Sequence, residues 1–179
     1  PLYPVYHWIP LHNVQKYEVE LLEKAPEMEN STIPSEKVLW RHSTDDVCSC
    51  YDEYARSAAG EYYWRVRGLD ANGQTIGRYS DTAKFTITSP TTRPLAAAYG
   101  DSITHGGGAL SYSPASLEYS YTTYLDFPAL NLGKSGDTSH DSLLRFEHDV
   151  LPFQPYNLLI LTGSNSLRAD NITADDIIS

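Results

Sequence analysis

The sequence predicts two regions of different fold class, an all-β sandwich followed by an α/β region built on a parallel sheet. Before residue 89, short segments alternate polar and apolar residues between turn residues, which is typical of antiparallel strands. After residue 94, strand-like apolar segments alternate with a segment of helical periodicity, which predicts parallel strands joined by crossovers. Two prolines and two threonines within residues 90–94 indicate a linker. We therefore expect a sandwich over residues 1–89, a linker over 90–94 and an α/β domain over 95–179.

The first region contains five predicted strands, at residues 5–10, 17–22, 37–41, 61–68 and 82–88. Within residues 61–68, Tyr62, Trp64 and Val66 share one face, while Tyr63, Arg65 and Arg67 share the other. The Asn72-Gly73 pair predicts a hairpin turn. Short strands at this spacing predict an antiparallel sandwich. The pattern of aromatic strands also resembles a fibronectin type III domain.

The second region contains three strand-like segments, each followed by a turn rich in Gly, Ser, Asn or Asp. The turns begin at Gly100, at Asn131 and at Gly163. Residues 140–150 predict an amphipathic helix that is capped by Ser139 or Asp141, and its apolar residues are Leu143, Leu144, Phe146 and Val150. If the three strands are parallel neighbours, all three turns lie at one edge of the sheet, where ligands bind in α/β proteins.

Ser102 follows the first of these strands in Gly100-Asp101-Ser102, directly before a glycine-rich stretch. A serine on such a turn is a candidate nucleophile. Ser102 is also a candidate N-cap of the next helix, because Ser is, like Asp, a preferred residue at helix N-termini. Taken alone, this segment leaves both interpretations open.

All three turns together resemble the SGNH/GDSL hydrolases. Gly100-Asp101-Ser102-Ile103-Thr104 resembles the first sequence block of that family, Ser135-Gly136-Asp137-Thr138 the second, and Gly163-Ser164-Asn165-Ser166 the third. The blocks occur in the order and spacing of the family, and the resemblance covers residues 93–179. It implies a flavodoxin-like parallel sheet and a serine esterase or acylhydrolase.

The resemblance also implies a role for each site residue. Ser102 would attack an ester carbonyl. The backbone N–H groups of Ser102 and Gly136 and the side-chain amide of Asn165 would form the oxyanion hole, with Asp101 and Asp137 in support. Each residue also has a purely structural interpretation: Gly136 as a turn glycine, Asn165 as a capping residue, and Asp101 and Asp137 as acceptors for turn amides. Ser166 stands where the family usually has Asp, which predicts weaker support for the neighbouring turn.

The catalytic base is missing from this pattern. The family takes its His and Asp from an Asp-x-x-His block, but no His follows His148. His105 lies too close to Ser102 in sequence to reach back to it easily, while His140 and His148 are predicted to face solvent. We therefore expect a truncated α/β domain, or one completed by a second chain that carries the missing C-terminal part. We expect little or no turnover from the 179-residue chain alone.

The composition is that of a globular protein, with 41% hydrophobic and 20% charged residues. A net charge of -10 argues against nucleic acid and anionic membrane surfaces as partners, and no apolar run is long enough to span a bilayer. The expected partner is an ester substrate, for which an acetylated carbohydrate is one candidate. No cofactor and no metal are predicted, and Cys48 and Cys50 are interpreted as ordinary thiols. Analogy with other hydrolases joined to sandwich domains favours an extracytoplasmic or secreted bacterial location.

Two functional hypotheses remain at this stage. The first is an SGNH-type serine esterase that cleaves carbohydrate or small acyl esters, with the sandwich as an accessory module. The second is a non-catalytic module that binds carbohydrate or protein and retains the hydrolase fold without its base.

Overall fold

The computed structural model describes residues 1–106, 117–168 and 173–175, which belong to two compact units. The β unit consists of His7–Cys50 and Ser57–Ser89. The α/β unit consists of Pro1–Tyr6, Tyr51–Arg56 and the chain from Pro90 onward. Two short segments that were expected in the sandwich therefore belong to the α/β unit, so residues 1–89 do not form one continuous body.

The described residues form ten strands, two α-helices and three 3₁₀ helices. They are β1 (Val5–His7), β2 (Lys16–Leu22), β3 (Val38–Thr44), β4 (Ser49–Tyr51), β5 (Gly60–Leu69), β6 (Thr75–Ile76), β7 (Ala83–Ile87), β8 (Ala96–Gly100), α1 (Ser102–His105), β9 (Ala129–Gly133), α2 (Ser139–Asp149) and β10 (Asn157–Leu161), with 3₁₀ helices at Leu117–Tyr119, Tyr121–Tyr124 and Ser166–Arg168. β1 and β4 form a two-stranded sheet.

The β unit is built on an antiparallel five-stranded sheet. Its strands run in the order β3-β2-β5-β6, and β7 also pairs with β5. The predicted hairpin turn joins β5 to β6, where the Asp70 carboxylate accepts hydrogen bonds from the N–H groups of Asn72 and Gln74. The antiparallel all-β character agrees with the sequence prediction. The likeness to fibronectin type III domains remains a prediction.

One face of this sheet carries a buried row of ion pairs. Glu20 lies opposite Arg41 on β3 and opposite Arg65 on β5, and the carboxylate binds both guanidinium groups at 2.6 and 2.9 Å. Glu18 pairs with Arg67 at 2.7 Å. The face of β5 that carries arginines is therefore not a solvated face, because opposite charges on neighbouring strands allow these groups to be buried.

The α/β unit contains a parallel three-stranded sheet in the order β10-β8-β9. Gly100, the last residue of β8, lies level with Gly133 of β9 and with Leu161 of β10. The chain passes from β8 to β9 on one side and then crosses to β10 on the other. This reversal creates a topological switch point between β8 and β10, where open α/β sheets form a ligand crevice.

The N-terminal segment Pro1–Tyr6 contributes to the core of the α/β unit. Leu2 and Tyr3 are 6% and 4% exposed, and they cluster with buried apolar residues of the sheet and with Val150. The Leu2 N–H donates to the carbonyl of Asn131 on β9 at 2.9 Å. The Tyr3 hydroxyl donates to Asp149 on α2 at 2.6 Å. These two residues are therefore structural parts of the α/β unit.

Helix α2 differs from its prediction in its cap and in its buried face. The cap is Thr138, whose hydroxyl group and backbone form a capping box with Asp141. Leu143 and Leu144, which were predicted on the apolar face, are 73% and 66% exposed. The other two predicted residues, Phe146 and Val150, do pack on the core, and beside them the inward face carries the polar residues Ser142, Arg145 and Asp149. The helix turns this face inward because Arg145 forms ion pairs and hydrogen bonds beneath the site.

Candidate functional site

Three turns meet at the carboxyl edge of the parallel sheet, as the sequence predicts. Gly100, Gly133 and Leu161 end their strands side by side. Ser102, Gly136 and Asn165 follow these strand ends by two, three and four residues. The structure thus places the three predicted site residues on adjacent turns, with the Ser102 turn in the middle because β8 is the central strand.

Ser102 is the first residue of α1, and its hydroxyl group does not cap the helix. Asp101 is the N-cap, and its carboxylate accepts a hydrogen bond from the Ile103 N–H at 3.0 Å. Within residues 1–106, 117–168 and 173–175, neither the hydroxyl nor the backbone N–H of Ser102 forms a hydrogen bond. Because Asp101 performs the capping, the Ser102 hydroxyl group is not used for it, and Ser102 is partly exposed.

The turn after β8 packs so tightly on the sheet that two glycines are required. A Cβ atom at Gly100 would lie 2.0 Å from the carbonyl oxygen of Leu161, and one at Gly133 would lie 2.3 Å from the backbone N of His105. Asn131 holds the end of α1 by donating from Nδ2 to the carbonyl of Thr104 at 2.9 Å. The backbone that carries Ser102 is therefore fixed against both neighbouring strands.

Gly136 lies on an exposed turn with a positive φ of 91°, which favours glycine. No atom lies within 4 Å of the position that a Cβ would occupy, so the space beside this backbone is open. The Gly136 N–H forms no hydrogen bond to any residue that the structure describes. This N–H is therefore free to donate to a ligand.

The turn after β10 contacts the other two turns through three successive side chains. Ser164 donates to the carboxylate of Asp101, and Asn165 Nδ2 donates to the carbonyl of Asp137 at 2.8 Å. Ser166 accepts from the Ser139 N–H at 2.8 Å. Since an amide NH₂ group has two hydrogens, Asn165 keeps one donor after it binds Asp137.

Two of these contacts refine the sequence-based expectations. Ser166, at the position where the related family usually has Asp, is buried and still supports the turn before α2. Asp101 and Asp137 are both buried; the Asp101 carboxylate binds Ser164 of the neighbouring turn, and the Asp137 carboxylate binds Arg145 of α2. These contacts fit a supporting role for both carboxylates.

Arg145 lies under the site and was missed by the sequence analysis. Its guanidinium group forms ion pairs with Asp137 and with Asp149, the latter at 2.9 Å. It also donates to the carbonyl groups of Leu132 and Gly100, each at 2.9 Å. Burial raises the pKa of Asp137, and the neighbouring Arg145 opposes that change. Arg145 thus ties the ends of β8 and β9 to the Gly136 turn.

His105 is fully buried between the N-terminal segment and the Gly136 turn. Nε2 lies 2.9 Å from the Tyr3 carbonyl oxygen, which can only accept, so Nε2 carries the proton. Nδ1 then accepts from the N–H of Ser135 at 3.3 Å and from its hydroxyl group at 3.1 Å. Burial lowers the pKa of His105 to about 4. Both ring nitrogens are occupied, so this histidine supports the turn and does not act as a base for Ser102.

The remaining histidines do not supply a base in this structure either. His140 and His148 are exposed on α2, as predicted, and His7, His12 and His42 lie in the β unit. Across the described parts of the chain, no histidine forms a hydrogen bond to Ser102. The described residues also contain no cluster of three or more His, Cys, Asp or Glu residues that could hold a metal ion. No helix among them has the length and apolar character needed to cross a bilayer.

The sequence offered only weak signals for Arg145, for His105 and for Tyr51, whose hydroxyl group donates to the Ser135 carbonyl oxygen. Arg145 precedes Asp149 by four residues, a spacing that is also common on solvated helix faces. His105 and Tyr51 receive their roles from contacts with Ser135, which is distant in sequence. No local pattern could have identified them.

Comparison with known proteins gives a structural similarity that covers part of the chain. No protein-family model and no curated protein matches the sequence. Among solved structures, the chain is similar to a lipase/acylhydrolase from Enterococcus faecalis, with 30% sequence identity and a TM-score of 0.35. The similarity covers 46% of this chain and 46% of that chain, so the chain spans less than half of that protein's length.

Proposed function

We propose that the α/β unit carries the nucleophile and the oxyanion hole of an SGNH-type serine ester hydrolase. Ser102 is the nucleophile, and the donors are the N–H groups of Ser102 and Gly136 and the side-chain amide of Asn165. Asp101 and Asp137 support the turns that present them. Carbohydrate esters and small acyl esters are the proposed substrates.

The observation that carries this proposal is the cross-bonding of the three turns at the switch point of the sheet. Ser164 and Asn165 bind the Ser102 turn and the Gly136 turn respectively, so the three turns form one bonded assembly. Ser102, which is partly exposed, and the Gly136 N–H, which binds no described residue, lie on adjacent turns of this assembly. An ester carbonyl that becomes a tetrahedral oxyanion needs such preorganised donors, each worth about 2.7–4 kcal/mol of the barrier.

In the proposed reaction, Ser102 Oγ attacks the carbonyl carbon while its proton passes to a base. The carbonyl oxygen becomes negatively charged and accepts hydrogen bonds from the three donors. The protonated base then gives that proton to the leaving oxygen, and the alcohol departs as the carbonyl re-forms, which yields an acyl-enzyme. Since no described histidine is bonded to Ser102, the proposal requires a base from another stretch of polypeptide.

The proposal is tested by supplying a base from solution. The 179-residue chain is incubated with p-nitrophenyl acetate and increasing imidazole, and the acetylated residue is identified by peptide mass spectrometry. We expect imidazole-dependent acetylation at Ser102 that Asn165→Ala slows by about 10²–10³-fold. Ser43, an exposed serine on β3 of the β unit, measures non-specific acetylation. Acetylation of Ser102 no faster than that of Ser43 would contradict the proposal.

The alternative is a binding module that keeps the hydrolase fold without activity. It is favoured by the lack of a histidine next to Ser102 among the described residues. Binding of acetylated xylan oligosaccharides that persists in Ser102→Ala, together with no specific acetylation at Ser102, would support this alternative.

A further inference from the structure

The N-terminal half of the chain supplies a side chain to the Gly136 turn. Tyr51, the last residue of β4, donates a hydrogen bond from its hydroxyl group to the carbonyl oxygen of Ser135 at 3.2 Å. The two residues are 84 positions apart, yet both belong to the α/β unit. The contact therefore joins a segment outside the parallel-sheet region to the candidate oxyanion hole.

The position of this contact within the peptide group makes it informative. The Ser135 carbonyl and the Gly136 N–H belong to one planar trans peptide, in which the two groups point in opposite directions. A hydrogen bond that holds the carbonyl toward Tyr51 therefore holds the N–H away from Tyr51, on the opposite side of the turn. Without this hydrogen bond, the peptide between Ser135 and Gly136 could rotate, because Gly136 is a glycine with open space beside it.

The preceding peptide is held as well. The Ser135 N–H and hydroxyl both bind Nδ1 of His105, and the His105 ring contacts the Tyr51 ring edge-on, with centroids 5.5 Å apart. His105 in turn donates to the Tyr3 carbonyl. Ser135 is thus fixed at its N–H, its side chain and its carbonyl by groups on one side of the turn.

The segment that carries Tyr51 is itself anchored by a buried carboxylate. Asp52 is fully buried, forms an ion pair with Arg56 at 2.7 Å and accepts a hydrogen bond from the Tyr6 hydroxyl at 3.2 Å. The Asp52 N–H donates to the carbonyl of Pro4 at 2.8 Å. This anchoring gives Tyr51 a defined position, which a mobile surface tyrosine would lack.

We infer that Tyr51 is a positioning residue that sets the orientation of the Gly136 N–H in the oxyanion hole. This inference rests on the proposed function, because it assigns a task to that donor. It also makes Tyr51 part of the catalytic unit rather than of an accessory module. Tyr51 acts through the peptide and does not touch the substrate.

The test uses Tyr51→Phe, which removes the hydroxyl group and keeps the ring against His105. The matched control is Tyr54→Phe, since Tyr54 lies in the same segment and is 60% exposed. The first readout is the backbone amide resonance of Gly136 in the ¹⁵N-labelled full chain, because its nitrogen is bonded to the Ser135 carbonyl carbon. The second is the rate of Ser102 acetylation by p-nitrophenyl acetate with imidazole, and its half-saturating ester concentration.

We expect Tyr51→Phe to shift the Gly136 resonance and to slow acetylation at saturating ester by roughly three- to tenfold, the kinetic equivalent of one neutral hydrogen bond. The half-saturating concentration should stay unchanged, and Tyr54→Phe should alter neither readout. An unchanged Gly136 resonance in Tyr51→Phe overturns the inference.

The outcomes separate this inference from the proposed function. If the wild-type chain acetylates at Ser102 and Tyr51→Phe does so equally fast, the catalytic role of Tyr51 is overturned and the proposed function stands. If the wild-type chain shows no specific acetylation at Ser102, the proposed function and the catalytic role of Tyr51 are overturned together. A Gly136 shift in Tyr51→Phe would then still establish the structural contact.

Discussion

Arg145 offers the sharpest test of how the site is held together, through the substitution Arg145→Met. The side chains of Arg145, Asp137 and Asp149 are only 11%, 6% and 3% exposed. Met keeps much of the apolar volume but removes the guanidinium donors from Asp137, Asp149 and two carbonyl groups. Asp149 then keeps only the Tyr3 hydroxyl as a donor, and Asp137 loses its cationic partner. Removal of one partner from a buried ion pair typically costs about 3–5 kcal/mol. We expect a loss of that size in the free energy of unfolding of the α/β unit.

The two units can be followed separately in this experiment. Trp8, Trp40 and Trp64 all lie in the β unit, so tryptophan fluorescence during urea unfolding reports on that unit. Hydrogen exchange of peptides from β8 and β9 reports on the α/β unit. Arg145→Met should reduce the protection of β8 and β9 against hydrogen exchange. It should leave the urea midpoint of the tryptophan fluorescence transition unchanged.

The control is Arg168→Met, because Arg168 is exposed and its loss removes the same charge. The two substitutions should differ by at least about 2 kcal/mol in the stability of the α/β unit. Burial already raises the pKa of Asp137, and loss of Arg145 would raise it further. Protonation of the Asp137 carboxyl at low pH should therefore reduce the loss of stability that Arg145→Met causes. Equal effects of the two substitutions on β8 and β9 would refute the assigned role of Arg145.

Three further outcomes follow from contacts around the same edge of the sheet. Gly133→Ala should lower the free energy of unfolding, measured by chemical denaturation, by about 1–3 kcal/mol, because its Cβ would lie 2.3 Å from the His105 backbone N. Gly136→Ala meets no atom at its Cβ and is strained only by the positive φ of 91°, so it should cost less. Burial lowers the pKa of His105 from 6.5 to about 4, so the neutral ring should contribute about 3 kcal/mol of stability above pH 6.5 that is lost as the pH falls to 4. Chemical unfolding of the wild type and of His105→Asn at both pH values measures this contribution. Equal pH dependence of the two proteins would contradict it. Ser166→Ala should cost about 1–3 kcal/mol and speed amide exchange at the start of α2, because the Ser139 N–H loses its buried acceptor.

Local patterns predicted most of the elements of the fold. Alternation along residues 17–22 and 61–68 is a property of the strand itself, and β2 and β5 formed there. The three turns were placed at one edge because parallel neighbouring strands end at the same edge. Strand formation here depends on the alternation of a few neighbouring residues, and the position of the turns follows from a general rule of parallel sheets.

The prediction of the buried face of α2 was confirmed for Phe146 and Val150 but was wrong for Leu143 and Leu144, for a reason that the helix sequence does not contain. Leu143 and Leu144 were expected to be buried, but the partners that draw Arg145 inward lie on β8, on β9 and on the Gly136 turn. A buried arginine is stable only where several acceptors converge. That convergence exists only after the strands have assembled.

The sequence by itself determined the succession of most strands and turns along the chain and the candidate identities of Ser102, Gly136 and Asn165. These depend on periodicity, on turn chemistry and on a resemblance between short motifs. Only the tertiary structure decided that Asp101 rather than Ser102 caps α1 and that Leu2 and Tyr3 belong to the α/β core. It alone brought Tyr51 to the Ser135 carbonyl. The physical reason is that hydrogen bonds and burial between distant residues depend on how the whole chain packs, and no local pattern encodes such contacts.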